Sequence, residues 1–331
     1  MKIAVLGAGA WGTAFGQVLA DAGNDVTMWA IEPEIVEGIR DRHHNAVRLP
    51  SVDRLPDTMT ATGDRAEAVR DADIVVVAIA AQFARVALAE FKDLIPDDAI
   101  VVSLMKGIER ATGKRMDEAV REALDLPAER FAAVSGPNLS KEVADRHPAA
   151  TVVACADLDN ARRVAAACTT DYFKAFVTTD VIGLEMCGSL KNVVALAVGM
   201  ARGAGYGENT AAMIETRGLA ELTALGEAAG ADPKTFRGLA GVGDLIATCG
   251  SPLSRNYTFG ANLGRGMSVE EATAASNGVA EGVPTTDAVV TLGRELGVAT
   301  PLACAMSRVL ADGISCQEML ALLFDDDVTE E

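Results

Sequence analysis

Three glycines at fixed spacing, directly after the first apolar segment, constrain the fold of this chain more than any other feature. The segment Lys2–Leu6 predicts a strand, and Gly7, Gly9 and Gly12 then form a G-x-G-x-x-G motif that opens a helical stretch. In that context Gly7 permits a tight turn, Gly9 lets phosphates approach the backbone and Gly12 lets the helix pack on the strand. The amide groups at the helix start, from Ala10 onward, carry positive partial charge. We therefore predict that the chain begins with a dinucleotide-binding unit.

Short apolar runs alternate with helical stretches through the first half of the chain. The predicted strands are Lys2–Leu6, Asp25–Trp29, 74–79, 99–104 and Phe131–Ser135, with weaker candidates at 151–154 and 173–177. The predicted helices between them are 12–22 and 82–91. Continuous, β-branched runs are typical of strands that are buried on both faces. The alternation therefore predicts an α/β fold with a Rossmann-type parallel sheet.

Beyond residue 180 no segment predicts a convincing strand. Helical stretches occur instead at 181–201, 210–230, 268–275, 285–296 and 306–310. The first of these is apolar almost all round, which predicts a central, buried helix. We expect a dinucleotide-binding domain at 1–179 and an all-helical substrate and catalytic domain at 180–331, with an acidic tail at 325–331 that frays.

The net charge and the cysteine spacing exclude several kinds of partner and site. The formal net charge of −18 argues against nucleic acid and against anionic membranes, since both need clustered Lys and Arg. Six cysteines form no C-x-x-C pair, so we expect neither a disulfide framework nor a metal site. No apolar run was expected to approach a membrane span of about 20 residues, and glycines interrupt the amino-terminal run that could pass for a signal peptide. We expect a cytoplasmic protein with a small-molecule substrate, no nucleic acid, no membrane insertion, and a homodimer as an open option.

The end of the second predicted strand bears on cofactor choice. An acid there favours NAD and an arginine favours NADP, but this chain has Ala30 and Ile31, followed by Glu32. The charge of Glu32 disfavours a 2′-phosphate, and Arg48 can compensate for it. The sequence therefore leaves NAD versus NADP open.

Motifs along the whole chain give it a family resemblance. These are GAGAWGTAFG at 7–16, NAVRLP at 45–50, SLMKGIE at 103–109, SGPNLSKEVA at 135–144, GSLKNVVALAVGM at 188–200, TRGLAEL at 216–222, GVGDLIATC at 241–249 and SRNYTFG at 254–260. With them the chain resembles the bacterial NAD(P)-dependent glycerol-3-phosphate dehydrogenases from end to end. The resemblance implies a Rossmann domain followed by a helical domain, and the reduction of dihydroxyacetone phosphate to sn-glycerol 3-phosphate for phospholipid biosynthesis.

The resemblance also implies roles for particular residues. Lys191 falls on the family's catalytic lysine, the proton acceptor for alcohol oxidation, with Lys106 and Asp244 as the other catalytic candidates. The implied substrate-binding residues are Lys106, Gly136, Asn138, Lys191, Asp244, Ser254, Arg255 and Asn256. The cofactor-binding candidates from the glycine motif and the segment after the second strand are Gly7, Gly9, Ala10, Gly12, Ile31 and Arg48. The resemblance implies as further cofactor contacts Trp11, Lys106, Ser140, Arg255, Val279 and Glu281.

Elementary chemistry supports a lysine in the catalytic position. Hydride transfer to a ketone builds negative charge on its oxygen, which a positioned acid must stabilise and protonate. Lys191 lies midway along an apolar helical stretch, where burial disfavours its charged form and a carboxylate such as Asp244 favours it. A lysine that merely pairs with that carboxylate is the structural alternative.

The chain differs from the usual family pattern at two places, and two other functions are compatible with parts of the sequence. Family members often have His or Arg where this chain has Ile31, and Pro-Ser where it has Ala80 and Ala81.

The first alternative function is that of a β-hydroxyacid-type dehydrogenase, and the GVGDL and SRN motifs argue against it. The second is a non-catalytic NAD(P)-binding sensor, against which the joint presence of Lys106, Lys191 and Asp244 speaks.

Overall fold

The computed structural model describes residues 1–276 and 278–324, which form a sheet region followed by helices. The strands are β1 Lys2–Leu6, β2 Asp25–Trp29, β3 Met59–Thr62, β4 Ile74–Val77, β5 Ile100–Ser103, β6 Phe131–Ser135, β7 Ala149–Cys155 and β8 Phe173–Thr178. They form one sheet in the order β3-β2-β1-β4-β5-β6-β7-β8, in which only the β6–β7 pair is antiparallel. The predicted Rossmann-type α/β fold is confirmed.

The strand order reverses direction at β1, which has β2 on one side and β4 on the other. In doubly wound sheets a ligand binds outside the carboxyl ends of the strands at such a switch point. The glycine motif follows β1 directly, so the predicted cofactor loop lies at this point of the sheet.

One strand was missed by the sequence analysis, and its composition explains why. β3 reads Met-Thr-Ala-Thr, which offers no continuous apolar run. It becomes a strand because it pairs with β2, where Met59 lies opposite Val26. Residues 78–79 and 104 were assigned to strands but follow the ends of β4 and β5.

The helices occupy more of the chain than the sequence predicted. They are α1 Ala10–Asp21, α2 Pro33–Arg42, α3 Arg65–Val69, α4 Ala84–Ala89, α5 Met116–Leu124, α6 Ser140–Ala144, α7 Leu158–Ala167, α8 Val181–Gly203, α9 Glu208–Ala228, α10 Pro233–Phe236, α11 Asp244–Gly250, α12 Arg255–Gly264, α13 Val269–Ala274, α14 Gly282–Leu296, α15 Pro301–Asp312 and α16 Cys316–Phe324. Among the described residues beyond Thr178 there is no strand, as expected. The acidic tail at 325–331 lies outside the described residues.

Several of the missed helices are short and start at a side-chain cap. Asp157 caps α7, Asp232 caps α10 and Ser254 caps α12 by accepting hydrogen bonds from backbone N–H groups in the first turn. Caps of this kind stabilise a helix by about 1 kcal/mol. A helix that is both short and capped needs few apolar residues, so it shows little hydrophobic periodicity in the sequence. Periodicity therefore detected the long helices and missed these.

The chain divides into two compact units. One comprises Met1–Glu109 and Lys114–Glu185, and the other comprises Arg110–Gly113 and the residues from Met186 on. The division falls within α8, whereas the sequence placed a boundary between residues 179 and 180. That domain boundary stays a prediction.

The long helix α8 is central and buried, as its composition predicted. Among the described residues it is the one helix that is long and apolar enough to cross a membrane by length and composition alone, with a mean hydropathy of 1.6. The expectation that no apolar run reaches that length was therefore wrong. However, 89% of the most apolar window is buried inside the protein, which is typical of a core helix.

A buried carboxylate explains the TRGLAEL motif. Glu221, on α9, accepts hydrogen bonds from the backbone N–H groups of Leu302 and Ala303 at 2.8 and 3.2 Å, in the first turn of α15. Burial raises the pKa of Glu221 to about 7, against the effect of those two hydrogen bonds. The motif thus has a structural role in joining two helices.

Helices α8 and α12 cross with their backbones in contact. Each carries two glycines four residues apart, Gly199 and Gly203 on α8 and Gly260 and Gly264 on α12. A Cβ added at Gly199 would lie 2.1 Å from the Tyr257 carbonyl oxygen, and one at Gly260 would lie 2.0 Å from the Leu196 carbonyl oxygen. No side chain larger than hydrogen fits at these positions without moving a helix.

We predict that Gly199→Ala lowers the free energy of unfolding by about 2 kcal/mol, because the overpacking cost exceeds the better helix propensity of alanine. Urea unfolding of the full chain measures the change. Gly250→Ala is the matched control, since Gly250 ends α11 and an added Cβ there meets nothing within 4 Å. Equal stability of Gly199→Ala and the parent would contradict the close crossing.

Candidate functional site

The glycine motif forms the tight loop that its spacing predicted. Gly7 has φ +112°, and an added Cβ there would lie 2.7 Å from the Ala78 carbonyl oxygen, just beyond β4. A Cβ at Gly12 would lie 2.2 Å from the Gly7 carbonyl oxygen, so the start of α1 packs directly on the turn. Both glycines are required by the protein's own packing.

Gly9 differs from the other two glycines, because an added Cβ there would meet nothing within 4 Å. It is the N-cap of α1, and it makes no side-chain cap. The backbone N–H groups of the first helical turn, starting with Ala10 and Trp11, have no partner within the helix. Open space beside a helix amino terminus fits the pyrophosphate of a dinucleotide.

The segment after β2 brings three of the predicted residues together. Ile31 is 72% exposed, so its side chain takes little part in the core and is accessible to a ligand. The Arg48 guanidinium lies 3.2 Å from the Glu32 carboxylate, and both side chains are partly exposed. The carboxylate that the sequence placed near the ribose is thus paired with the arginine that was expected to compensate for it.

A second group lies beyond the carboxyl ends of β5 and β6. The Lys106 Nζ donates to the Gly136 carbonyl oxygen at 3.2 Å. The Asn138 amide donates to the Ala150 carbonyl oxygen at 3.0 Å, and its oxygen lies 2.8 Å from the Thr151 hydroxyl. Ser140 begins α6. The structure therefore joins Lys106 to Gly136 and anchors Asn138 to β7.

The helical unit contains a buried cluster around Lys191. This residue is 5% exposed, and its Nζ donates to the Asp244 carboxylate at 2.5 Å and to the Thr248 hydroxyl at 2.6 Å. The Thr248 hydroxyl in turn lies 3.1 Å from the same Asp244 oxygen. The three side chains are hydrogen-bonded to one another and buried in an apolar helix core.

Thr248 was missed by the sequence analysis. Its signal was its position four residues after Asp244, which places both side chains on one face of a helix.

A π-helical turn at Leu239–Gly243 places Asp244 where α11 begins. Such turns add a residue to the helix and are frequent at functional sites. A Cβ added at Gly241 would lie 2.0 Å from the Phe236 carbonyl oxygen, so this turn requires glycine. The GVGDL motif is thereby explained as the support of the carboxylate.

The Ser254, Arg255 and Asn256 triplet is only partly available to a ligand. The Ser254 hydroxyl accepts from the Tyr257 N–H at 3.2 Å as the cap of α12. The Asn256 amide donates to the Asn192 side-chain oxygen and accepts from the Gly282 N–H, both at 2.9 Å. Arg255 is exposed. Asn256 therefore joins α8, α12 and the start of α14.

The late cofactor candidates lie near Arg255. A Cβ added at Gly278 would lie 3.2 Å from Arg255 Nη1, so this arginine lies along the segment that contains Val279. Val279 is 48% exposed, and Glu281 is the N-cap residue of α14. The predicted site residues thus form two sets, one within each unit.

Family models cover almost the whole chain. The NAD-dependent glycerol-3-phosphate dehydrogenase N-terminus matches residues 2–161, and the C-terminus of the same family matches residues 180–321. The chain belongs to the NAD-dependent glycerol-3-phosphate dehydrogenase family. The resemblance, the class of oxidoreductase acting on a CH–OH group and the NAD(P)H cofactor are confirmed by this membership.

Similar proteins agree with this assignment. A glycerol-3-phosphate dehydrogenase (NAD(P)+) of Bifidobacterium longum subsp. infantis is 84% identical over 330 residues, covering 100% of this chain and 99% of the relative. Its counterpart in Corynebacterium kroppenstedtii is 52% identical and covers 100% of both chains. The crystal structure of glycerol-3-phosphate dehydrogenase from Coxiella burnetii is 31% identical, with a TM-score of 0.92 over 98% of this chain and 99% of that one.

We predict that Asp244→Asn lowers the free energy of unfolding by about 3 kcal/mol, because it leaves the buried Lys191 charge without its counterion. The double variant Lys191→Met, Asp244→Leu should regain most of this loss, since no charge is then buried. Urea unfolding of both variants measures the difference. A double variant less stable than Asp244→Asn would contradict this account of the pair.

Proposed function

We propose that this protein catalyses reversible hydride transfer between NAD(P)H and dihydroxyacetone phosphate, giving sn-glycerol 3-phosphate. The observation that carries the proposal is the buried Lys191, held by Asp244 and Thr248. A buried ion pair is often no more stabilising than apolar side chains of the same volume, so a buried, paired lysine is a candidate for a functional role. In a dehydrogenase that role is an acid for the substrate oxygen.

Lys191 acts in this proposal as the acid for reduction and the base for oxidation. A reduced nicotinamide held by the glycine-loop unit would supply the hydride that the ketone carbon accepts. The ketone oxygen gains negative charge and takes a proton from Lys191, so that the alcohol forms. Contacts with Asp244 and Thr248 fix the position of Nζ, and the carboxylate favours the ammonium form that donates the proton.

The substrate phosphate is assigned to Arg255, with Ser254 and Asn256 beside it. Arg255 is the exposed member of this triplet and begins α12. A guanidinium and the N–H groups of a helix start are suitable donors to a phosphate. We also assign substrate contacts to Lys106, Gly136 and Asn138.

The cofactor is assigned to the glycine loop and the residues around it. Open space at Gly9 supports the pyrophosphate position, and Ile31 with Arg48 lies after β2, where the ribose is read. Trp11, Lys106, Ser140, Arg255, Val279 and Glu281 are the further proposed contacts.

We further propose a cytoplasmic location and a role in supplying phospholipid biosynthesis. The expected partner is the small-molecule substrate, and the net charge of −18 disfavours nucleic acid. Absence of membrane insertion and assembly as a homodimer stay predictions.

The β-hydroxyacid-type alternative has weak structural support. The ketopantoate reductase of Ralstonia eutropha matches this chain with a TM-score of 0.59 and 21% identity, which shows a shared fold alone. A non-catalytic sensor would use the Lys191–Asp244 pair only as a structural link between α8 and α11, and the turnover measurement below separates the two functions.

We predict that the parent enzyme reduces dihydroxyacetone phosphate and that Lys191→Ala lowers kcat by ~100-fold, as expected for loss of a positioned acid. The dissociation constant of NADH should change little. Steady-state kinetics with dihydroxyacetone phosphate, unphosphorylated dihydroxyacetone and small β-hydroxyacids test both statements.

Near-normal turnover of Lys191→Ala would move the proton donor to another residue, with Lys106 next in line. Equal turnover of the phosphorylated and unphosphorylated ketones would contradict the phosphate assignment to Arg255.

A separate prediction concerns cofactor choice. Because Ile31 replaces a basic residue and Glu32 is acidic, the advantage of NADPH over NADH should be small in the parent. Ile31→Arg should shift the ratio of kcat/KM values towards NADPH by about tenfold, the effect of one added charge-assisted contact. Arg48→Ala should shift it towards NADH, since it exposes the Glu32 carboxylate to the 2′-phosphate. A parent strongly selective for NADPH, with selectivity lost only in Arg48→Ala, would show that Arg48 alone binds the 2′-phosphate.

A further inference from the structure

We propose that Asn45 is a positioning residue that holds two segments in one fixed arrangement. These are the pyrophosphate loop (residues 7–12) and the ribose-reading segment (Ile31, Glu32 and Arg48). Asn45 lies in the NAVRLP motif, in the connection after α2, and is 2% exposed. This inference rests on the proposed position of the cofactor at the glycine loop.

The Asn45 amide group is directed into the glycine loop. Its Nδ2 donates to the Ala8 carbonyl oxygen at 3.0 Å and to the Thr13 hydroxyl at 2.8 Å. The Thr13 hydroxyl also donates to the Ala8 carbonyl oxygen, at 3.3 Å. One carbonyl between Gly7 and Gly9 is therefore held by two buried side chains.

Fixing this carbonyl also fixes the neighbouring N–H group. The Ala8 carbonyl and the Gly9 N–H belong to one planar peptide, so they point in opposite directions. While Asn45 and Thr13 hold the carbonyl towards the protein, the Gly9 N–H is directed away from them, on the other side of the loop. The orientation of this donor is thus set before a phosphate arrives, which reduces the entropy lost on binding.

The other end of the Asn45 side chain reaches the ribose-reading segment. Its Oδ1 accepts from the Arg48 N–H at 3.1 Å, and its own carbonyl oxygen accepts from the Leu49 N–H at 2.9 Å. Arg48 then pairs with Glu32. A single buried side chain connects the pyrophosphate loop to the residues that discriminate NAD from NADP.

The chemistry of these contacts requires an amide. Two acceptors face Nδ2 and one donor faces Oδ1, so neither a carboxylate nor a hydrocarbon satisfies both ends. Asn45→Asp is isosteric, keeps the contact with Arg48 and places an oxygen against the Ala8 carbonyl. It removes the Nδ2 contact with the loop and also adds a buried negative charge beside it, so an uncharged variant, Thr13→Val, is needed to separate the two effects.

Asn24 provides a matched control. It is 5% exposed, belongs to the same unit, and its amide also donates to two acceptors, the Leu19 and Ala167 carbonyl oxygens at 2.7 and 2.9 Å. It precedes β2 and so lies at the amino ends of the strands, opposite the edge at which the glycine loop lies. Substitution there tests the loss of a buried amide without touching the loop.

The test is equilibrium binding of NADH and of ADP-ribose, which keeps the pyrophosphate and lacks the nicotinamide, measured by calorimetry on the full-length protein. Asn45→Asp should raise both dissociation constants about tenfold or more, as loss of two buried contacts predicts. Its kcat at saturating cofactor should fall far less. Asn24→Asp should lower the unfolding midpoint and leave both dissociation constants within about twofold of the parent.

Parent-like binding by Asn45→Asp, or an equal loss of binding in Asn24→Asp, would overturn the proposal. Thr13→Val adds no charge and decides between lost contacts and charge repulsion, also where Asn45→Asp does not fold, because it removes one of the two contacts to Ala8 and should raise both constants about threefold. Unchanged constants in Thr13→Val would then overturn it. A parent that binds NADH but does not reduce dihydroxyacetone phosphate would instead overturn the proposed function and leave this inference standing.

Discussion

A lysine charge inside an apolar helix is the constraint on which the helical unit depends. Lys191 is 5% exposed, so its ammonium must find oxygen partners within the protein or be lost to neutralisation. Asp244 and Thr248 supply them from one face of α11. The position of Asp244 depends in turn on the backbone before it. A π-helical turn precedes α11, and this turn needs glycine at position 241.

Close backbone approach is the means by which both units place their polar groups. In the helical unit the glycine pairs on α8 and α12 bring the two backbones into contact, and Asn256 of α12 then bonds Asn192, the residue after Lys191. In the sheet unit Gly7 and Gly12 bring α1 against the end of β4. A larger side chain at these positions would force the packed backbones apart and so shift the residues that they carry.

The sequence predicted features that depend on local pattern and missed those that depend on pairing. The glycine motif, the long helix α8 and most buried strands have strong local signals. In contrast, β3 exists because β2 offers it a partner, and α7, α10 and α12 depend on single capping side chains. Ser254 and Asn256 were predicted as substrate ligands, and only the structure reveals that both also have structural hydrogen bonds. The Ser254 cap is a local bond, whereas the Asn256 bond joins residues 26 positions apart, so no local pattern contains it.

An acidic chain can bind the two proposed anionic ligands, the dinucleotide and the phosphorylated substrate, if positive charge is placed close to each. A net charge of −18 repels a phosphate at long range, but salt screens that repulsion beyond about 8 Å. Within that distance the partial charges of the α1 amino terminus would act on the proposed cofactor phosphates, and the exposed Arg255 would act on the proposed substrate phosphate. The Lys191 charge is largely offset by Asp244, so it adds little to phosphate attraction, which is consistent with its proposed role at the substrate oxygen. The proposed function thus gives phosphate binding and proton transfer mainly to different cations, Arg255 and Lys191.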